Sequence, residues 1–162
     1  MSYHIRRKDR EIDSKDNLFS IIKKCKYAVI SVCHNNQPYI VTLSYGFDAD
    51  NQTLYFHCAK EGKKIDFFKN NNKVCITIIE DNGYVKNTCE HEYRSIIIDG
   101  EMQFVQENTE KLRGINVFLD HYHESKEKLL MKIKTNSSTW INTQILKLKI
   151  DNITGKERNE KN

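Results

Sequence analysis

LYFHCAKEGKKIDFFKNNNKVCITI, Leu54 to Ile78, switches periodicity twice within a short span. It opens as the end of an apolar, aromatic strand, Gln52–Cys58. A polar turn leads into a short helix over Glu61–Asn70. Ile65 and Phe68 lie three apart on its inner face, with Phe67 beside them. The run Asn70-Asn71-Asn72 stops the helix, because asparagine tolerates the left-handed conformation. A buried strand, Lys73–Ile79, follows.

The junction between that strand and helix carries the chemistry. A helix N-terminus presents unsatisfied N–H groups and a partial positive charge, so acids are favoured in its first turn. Here the first turn holds Lys63 and Lys64, with Gly62 before them. Two cations there are misplaced unless an anion sits among them, and Gly62 lets such a ligand approach the backbone. The plain alternative is that both lysines are solvated. No second glycine stands at the spacing of a P-loop. His57 sits at the strand end beside this site. Its ordinary pKa suits it to deliver a proton or contact a ring, although a strand histidine can equally be a packing residue.

Outward from this stretch the chain alternates turns and strands. Asp13 or Ser14 can cap a first helix whose apolar face is Leu18, Phe19, Ile21, Ile22 and Cys25. Tyr27–Cys33 and Pro38–Phe47 read as strands separated by the turn His34–Gln37, and Asp48–Asn51 turns into Gln52–Cys58. Short polar turns imply antiparallel hairpins. Glu80–Glu92 reads as a polar loop. Tyr93–Val105 is a strand interrupted at Asp99-Gly100 by a bulge or bend. Glu107–His123 is an amphipathic helix with Leu112, Ile115, Phe118, Leu119 and Tyr122 inward. Trp140–Ile150 is a last strand. This predicts a mainly β, α+β domain over residues 1–150: six antiparallel strands with helical caps, closed or nearly closed as a barrel. Residues 151–162 read as a loose polar tail.

The 162-residue chain is 38% hydrophobic and 30% charged, which suits one globular domain and not a disordered chain. No apolar run is long enough to span a bilayer, and no apolar stretch follows the basic N-terminus, so the expected compartment is the cytoplasm, with no membrane partner. A formal charge of +4, much of it at the chain ends, does not argue for nucleic acid. Five cysteines without Cys-x-x-Cys spacing fit a reduced chain, with Cys33, Cys58 and Cys75 acting as small hydrophobes. His121 and His123, two apart on a helix, make a poor chelate, and no metal is expected. Ser95 lacks the context of a hydrolase nucleophile.

The stretch Leu54–Ile78 resembles the signature of the pyridoxamine-phosphate-oxidase-like flavoproteins, in particular the nitroimidazole-resistance branch. IRRKDREI (Ile5–Ile12), PYIVTLSYGFD (Pro38–Asp48), EYRSIIIDGEMQFVQENTEKLRGINVFLDHY (Glu92–Tyr122) and ITGKER (Ile153–Arg158) are similar to other segments of that branch, in order and spacing. Thr42 and Asn72 stand where the family commonly has prolines. The resemblance implies a split β-barrel of the FMN-binding type, a homodimer, and flavin mononucleotide at the subunit interface, with FAD as the other candidate. It implies that Lys63 and Lys64, helped by Ala59 and Lys60, hold the phosphate. Val41, Thr42, Leu43 and Ser44 would line the flavin, His57 would lie near its ring as the catalytic residue, and Ser95 would approach it. Trp140 is a candidate wall, since aromatic surfaces suit flat rings. The implied activity is reduction of small oxidised organic molecules, 5-nitroimidazoles and other nitroaromatics as the substrate class. A flavin-binding module without reductase activity and a haem-binding or haem-degrading relative are the alternatives.

Overall fold

The computed structural model describes residues 5–125, 127, 131 and 137–158. Six strands close into an antiparallel barrel in the order β1-β2-β3-β6-β5-β4. They are β1 (Tyr27–His34), β2 (Gln37–Asp48), β3 (Thr53–Ala59), β4 (Lys73–Val85), β5 (Glu90–Phe104) and β6 (Thr143–Arg158). A 3-10 turn at Lys8–Arg10 and the helices α1 (Lys15–Lys24), α2 (Lys63–Asn70), α3 (Asn108–Tyr122) and α4 (Ser137–Asn142) accompany them.

Alternation fills the barrel. Ala28, Ile30 and Val32 of β1 point in, as do Val74, Ile76 and Ile78 of β4 and Leu146, Leu148 and Ile150 of β6. Ile30 faces Ile76 and Ile76 faces Ile98, so one ladder row runs through the core. Strict period-two burial on one face is what fixes such a register. Gly100 sits at the expected register shift in β5, where a Cβ would meet the Lys149 carbonyl at 2.7 Å. The backbones are too close there for any side chain.

The helices close what the strands leave open. Ser14 caps α1, with its hydroxyl accepting from the Asn17 N–H at 3.4 Å. Leu18, Phe19, Ile21 and Ile22 then enter the barrel core. The buried Tyr45 hydroxyl lies 2.8 and 2.9 Å from the carbonyls of Ile22 and Cys25, which pins the end of α1 to β2. Buried Glu80 receives Lys24 at 2.5 Å and Arg94 at 3.4 Å. α2 packs on β1 and β2, and α3 lies outside against β2, β3 and β6.

Several expectations are corrected. Most of Glu80–Glu92 is not a loop: β4 runs on to Val85 and β5 starts at Glu90, paired as Asp81↔Tyr93 through Val85↔Glu90. Those arms are mostly solvated on both sides, so they lack the one-sided apolar pattern of a strand. Asp151–Arg158 is not a loose tail but the second half of β6, paired with β5 from Asn152↔Asp99 to Arg158↔Tyr93. Its polar residues outweigh its apolar ones, yet the small Gly155 packs over Ile12, whose N–H donates to the Gly155 carbonyl at 3.0 Å. Residues 159–162 of that tail lie outside the described residues. Trp140–Asn142 belongs to α4, so the last strand begins at Thr143. Leu112 is 41% exposed, because Gly114 and Ile115 face the sheet instead. Cys33 and Cys75 point outward and are exposed. All five cysteines are free thiols.

Candidate functional site

The turn between β3 and α2 forms as the sequence pattern implies. Gly62 is the N-cap of α2 at φ 114°, a conformation that favours glycine, and a Cβ there would meet nothing within 4 Å. Its glycine serves the backbone and leaves the space in front of the helix open. Its carbonyl accepts from Ile65 at 2.8 Å and from Asp66 at 3.2 Å, and no side chain caps the helix. The first-turn N–H groups therefore have no built-in anionic or hydroxyl partner.

Beside this terminus lies a cleft of about 610 Å³. His57, Cys58 and Ala59 of β3 line it, with Leu43 of β2 and Lys64 of α2. Ser138, Asn142 and Thr143, around the junction of α4 and β6, complete the lining, with Thr143 paired to Ala59 in the sheet. The lining thus combines apolar and cationic side chains with hydroxyl and amide groups.

His57 stands opposite Ile145 on the outer side of the barrel. Its ring meets Phe118 of α3 edge to face, centroids 4.6 Å apart and planes at 89°. His57 is an exposed residue by accessible surface, and the partial burial of its ring against these neighbours lowers the imidazole pKa below its ordinary value. Burial raises the Cys58 thiol, and the charge of Lys64 opposes that rise.

The two lysines separate. Lys64 lines the cleft, whereas the Lys63 ammonium lies over the rings of Tyr39 at 4.9 Å and Phe67 at 5.6 Å. Lys60 is exposed in the turn. Among the β2 residues, Leu43 reaches the cleft. Val41 packs against the core, Thr42 points outward, and Ser44 lies beside the Tyr122 hydroxyl. Ser95 sits in β5 between Ile79 and Lys156, and is not among the residues that line this cleft. Trp140 packs on the cluster of Tyr55, Val105, Ile115, Leu119 and Ile145. Helix α4 therefore borders the cleft through Ser138 and Asn142, on either side of the tryptophan in sequence. Sequence reasoning missed those two: Ser138 lies in a polar segment without periodicity, and Asn142, like Thr143, falls inside the run Trp140–Ile150 that reads as a strand. It also missed Cys58, whose neighbour His57 drew the reading. Among the described residues no three His, Cys, Asp or Glu side chains gather as a metal site.

A six-stranded closed barrel with an uncapped, glycine-started helix beside a cleft defines the split-barrel class of fold. Residues 14–157 match the family model described as pyridoxamine 5'-phosphate oxidase, and the chain belongs to that family. No curated protein matches it. Among solved structures, it is similar to a Bacteroides thetaiotaomicron protein provisionally assigned to 5-nitroimidazole antibiotic resistance. The TM-score is 0.78 at 24% identity, covering 96% of each chain. A FAD-binding protein from Mesorhizobium loti superposes with TM-score 0.66 at 18% identity, over 93% of this chain and 97% of that one. A flavocytochrome from Azotobacter vinelandii gives 0.77 at 13% identity, over 97% and 73%. At these identities the likeness is one of fold.

Proposed function

We propose that the chain binds flavin mononucleotide in this cleft as a homodimer and reduces small oxidised organic molecules, with nitroaromatic compounds as the substrate class. The observation that carries the reading is the uncapped start of α2 behind Gly62, with Lys64 in the wall of a cleft that also holds His57. A phosphate there would receive the open N–H groups of the first turn and the charge of Lys64. Lys63 and Lys60 add positive potential from outside the cleft. Leu43 offers an apolar surface to a flat ring, and Val41, two residues before it on β2, packs against the core outside the cleft lining. FAD- and haem-linked proteins of the same fold leave the extra nucleotide, or a haem, as the competing ligand.

The cofactor, when bound, supplies electrons drawn from a reductant. The protein's part is to hold it, to shield it from water and to manage protons. Nitro reduction consumes protons as well as electrons, and His57, which lines the cleft and has an ordinary pKa nearest neutrality among its titratable side chains, is the residue assigned to donate one.

The homodimer is supported by the outer face of the sheet. Thr42, Val29, Thr77 and Ile97 face one another in a single row across β2, β1, β4 and β5. Around them Tyr27 is 64% exposed, Ile40 63% and Ile79 57%. An uncovered apolar patch of this kind marks an interaction surface. A second copy on it would also give Ser95, which lies on the same face, a cofactor to approach.

The test is an absorbance spectrum of the purified protein, with mass analysis of whatever heat releases. The expected result is a flavin spectrum with flavin mononucleotide released. A colourless protein that takes up no flavin overturns the reading, and a Soret band would assign haem instead. With the flavin reduced under anaerobic conditions, a nitroimidazole should reoxidise it. Flavin that binds but passes electrons only to oxygen would leave a binding module.

A further inference from the structure

We infer that Phe118 is a positioning residue: seated by Gly46 and backed by Tyr122, it orients the His57 imidazole at the mouth of the cleft. Three independent observations meet at this ring.

The first is the close approach of helix and strand. A Cβ on Gly46 of β2 would meet the Phe118 nitrogen and Cα at 2.5 Å and the Val117 carbonyl carbon at 2.8 Å. These are backbone atoms and cannot move aside as a side chain would. Gly46 therefore sets how deeply α3 beds onto β2 at the residue that touches His57. The second is the stack behind the ring. Phe118 lies nearly parallel to Tyr122, centroids 4.7 Å apart and planes at 20°. The Tyr122 hydroxyl donates to the Lys26 carbonyl at 2.5 Å, and the Lys26 ammonium rests over the Tyr122 ring at 4.9 Å and donates to the His121 carbonyl at 2.6 Å. The tyrosine is anchored at both ends, so Phe118 has a fixed support. The third is the edge-to-face contact with His57, a preferred geometry for aromatic pairs.

The consequence for His57 follows. Burial is the one cause of its lowered pKa, so no ion pair holds the ring. Lys64 from α2 and Cys58 from β3 line the same cleft, and His121 and Tyr122 follow Phe118 on α3. None of these contributes to the shift. Without a charged partner to orient it, the imidazole depends on the wall it leans on. A wall that excludes water from one side also keeps the ring neutral.

This inference rests on the proposed role of His57 at the cleft, but its test does not need the cofactor. Phe118→Leu keeps an apolar side chain of similar bulk and removes the flat ring, and Phe118→Tyr restores a ring. The His57 titration is followed by NMR in the protein as purified, with folding checked by circular dichroism. The expected result is a His57 pKa that moves up toward the ordinary value in Phe118→Leu and stays low in Phe118→Tyr. If the Leu variant is folded and its His57 titrates as in the unaltered protein, the inference is overturned. If Phe118→Tyr shifts as far as Phe118→Leu, the ring is not what matters and it is likewise overturned. Flavin binding is measured in parallel. A protein that binds no flavin would remove the proposed function while the titration still decides the role of Phe118.

Discussion

Lys63 and Lys64 are neighbours in sequence and do different work. Lys64 lines the cleft, and Lys63 is held over two aromatic rings. A charge-assisted hydrogen bond to phosphate is worth about 1.5–3 kcal/mol. Lys64→Ala should therefore weaken flavin binding by about 10- to 150-fold in fluorescence titrations. Lys63→Ala should cost less, because its cation–π contacts must be given up before it can reach a ligand. Equal losses from the two variants would show that the lysine rotamers rearrange on binding. His57 makes a separate statement about pH. Its folded pKa lies below the ordinary histidine value, so the imidazole is mostly neutral near pH 7. If it donates the proton in nitro reduction, the active form is the imidazolium, whose population grows as pH falls. Turnover should rise from pH 8 toward pH 6. His57→Ala should keep the flavin, lose about 10²–10⁴ in rate, and flatten that profile. A rate that stays level in the unaltered protein over this range would remove His57 from proton transfer.

The elements differ in how legibly their sequences announce them. β1, α1, α2 and the core half of β4 carry clean periodicities, since each buries one face and solvates the other. The Asp99-Gly100 bulge was legible because glycine inside a strand signals close backbone approach. The extension of the β4–β5 hairpin was not, because a ribbon wet on both faces has no pattern to read. The latter half of β6 was hidden for a related reason: Asp151–Arg158 is held by pairing with β5 and by contacts to the N-terminal segment, none of which is local. Lys156 even bridges to Glu11, and Arg158 pairs with Glu90. At the site, the glycine and lysines at the start of α2 stood out by conflict with the helix dipole. Ser138 and Asn142 carried no such conflict. That the segment is structural gives an expectation. A chain ending at Ile150 loses every β5 partner from Asn152 to Arg158 and uncovers Ile12 and Ile96. It should fail to fold, read as aggregation on expression or loss of cooperative thermal unfolding. A truncated protein that melts within a few degrees of the full chain would mark that half-strand as dispensable.

At the scale of the whole molecule the helices cover the barrel unevenly. α3 shields the side of β2, β3 and β6, while the row through Thr42, Val29, Thr77 and Ile97 stays open. Ile97, 42% exposed at the β5 end of that row, is the position from which to test what covers it. In a monomer, Ile97→Glu places a charge in water and should change stability by no more than about 0.5 kcal/mol. In a homodimer across this face it buries an unpaired carboxylate in each copy, a cost of several kcal/mol. Leu112→Glu, at 41% exposure on α3, makes the same chemical change on the covered side and serves as the control. Sedimentation velocity at micromolar concentration should find a dimer for the unaltered protein and for Leu112→Glu, and a folded monomer for Ile97→Glu. Because the cofactor is expected at the subunit interface, the monomer should also lose flavin affinity while its circular dichroism is unchanged. An unaltered protein that sediments as a monomer with flavin bound would reject the dimer. Dimers formed equally well by Ile97→Glu would move the interface to another face.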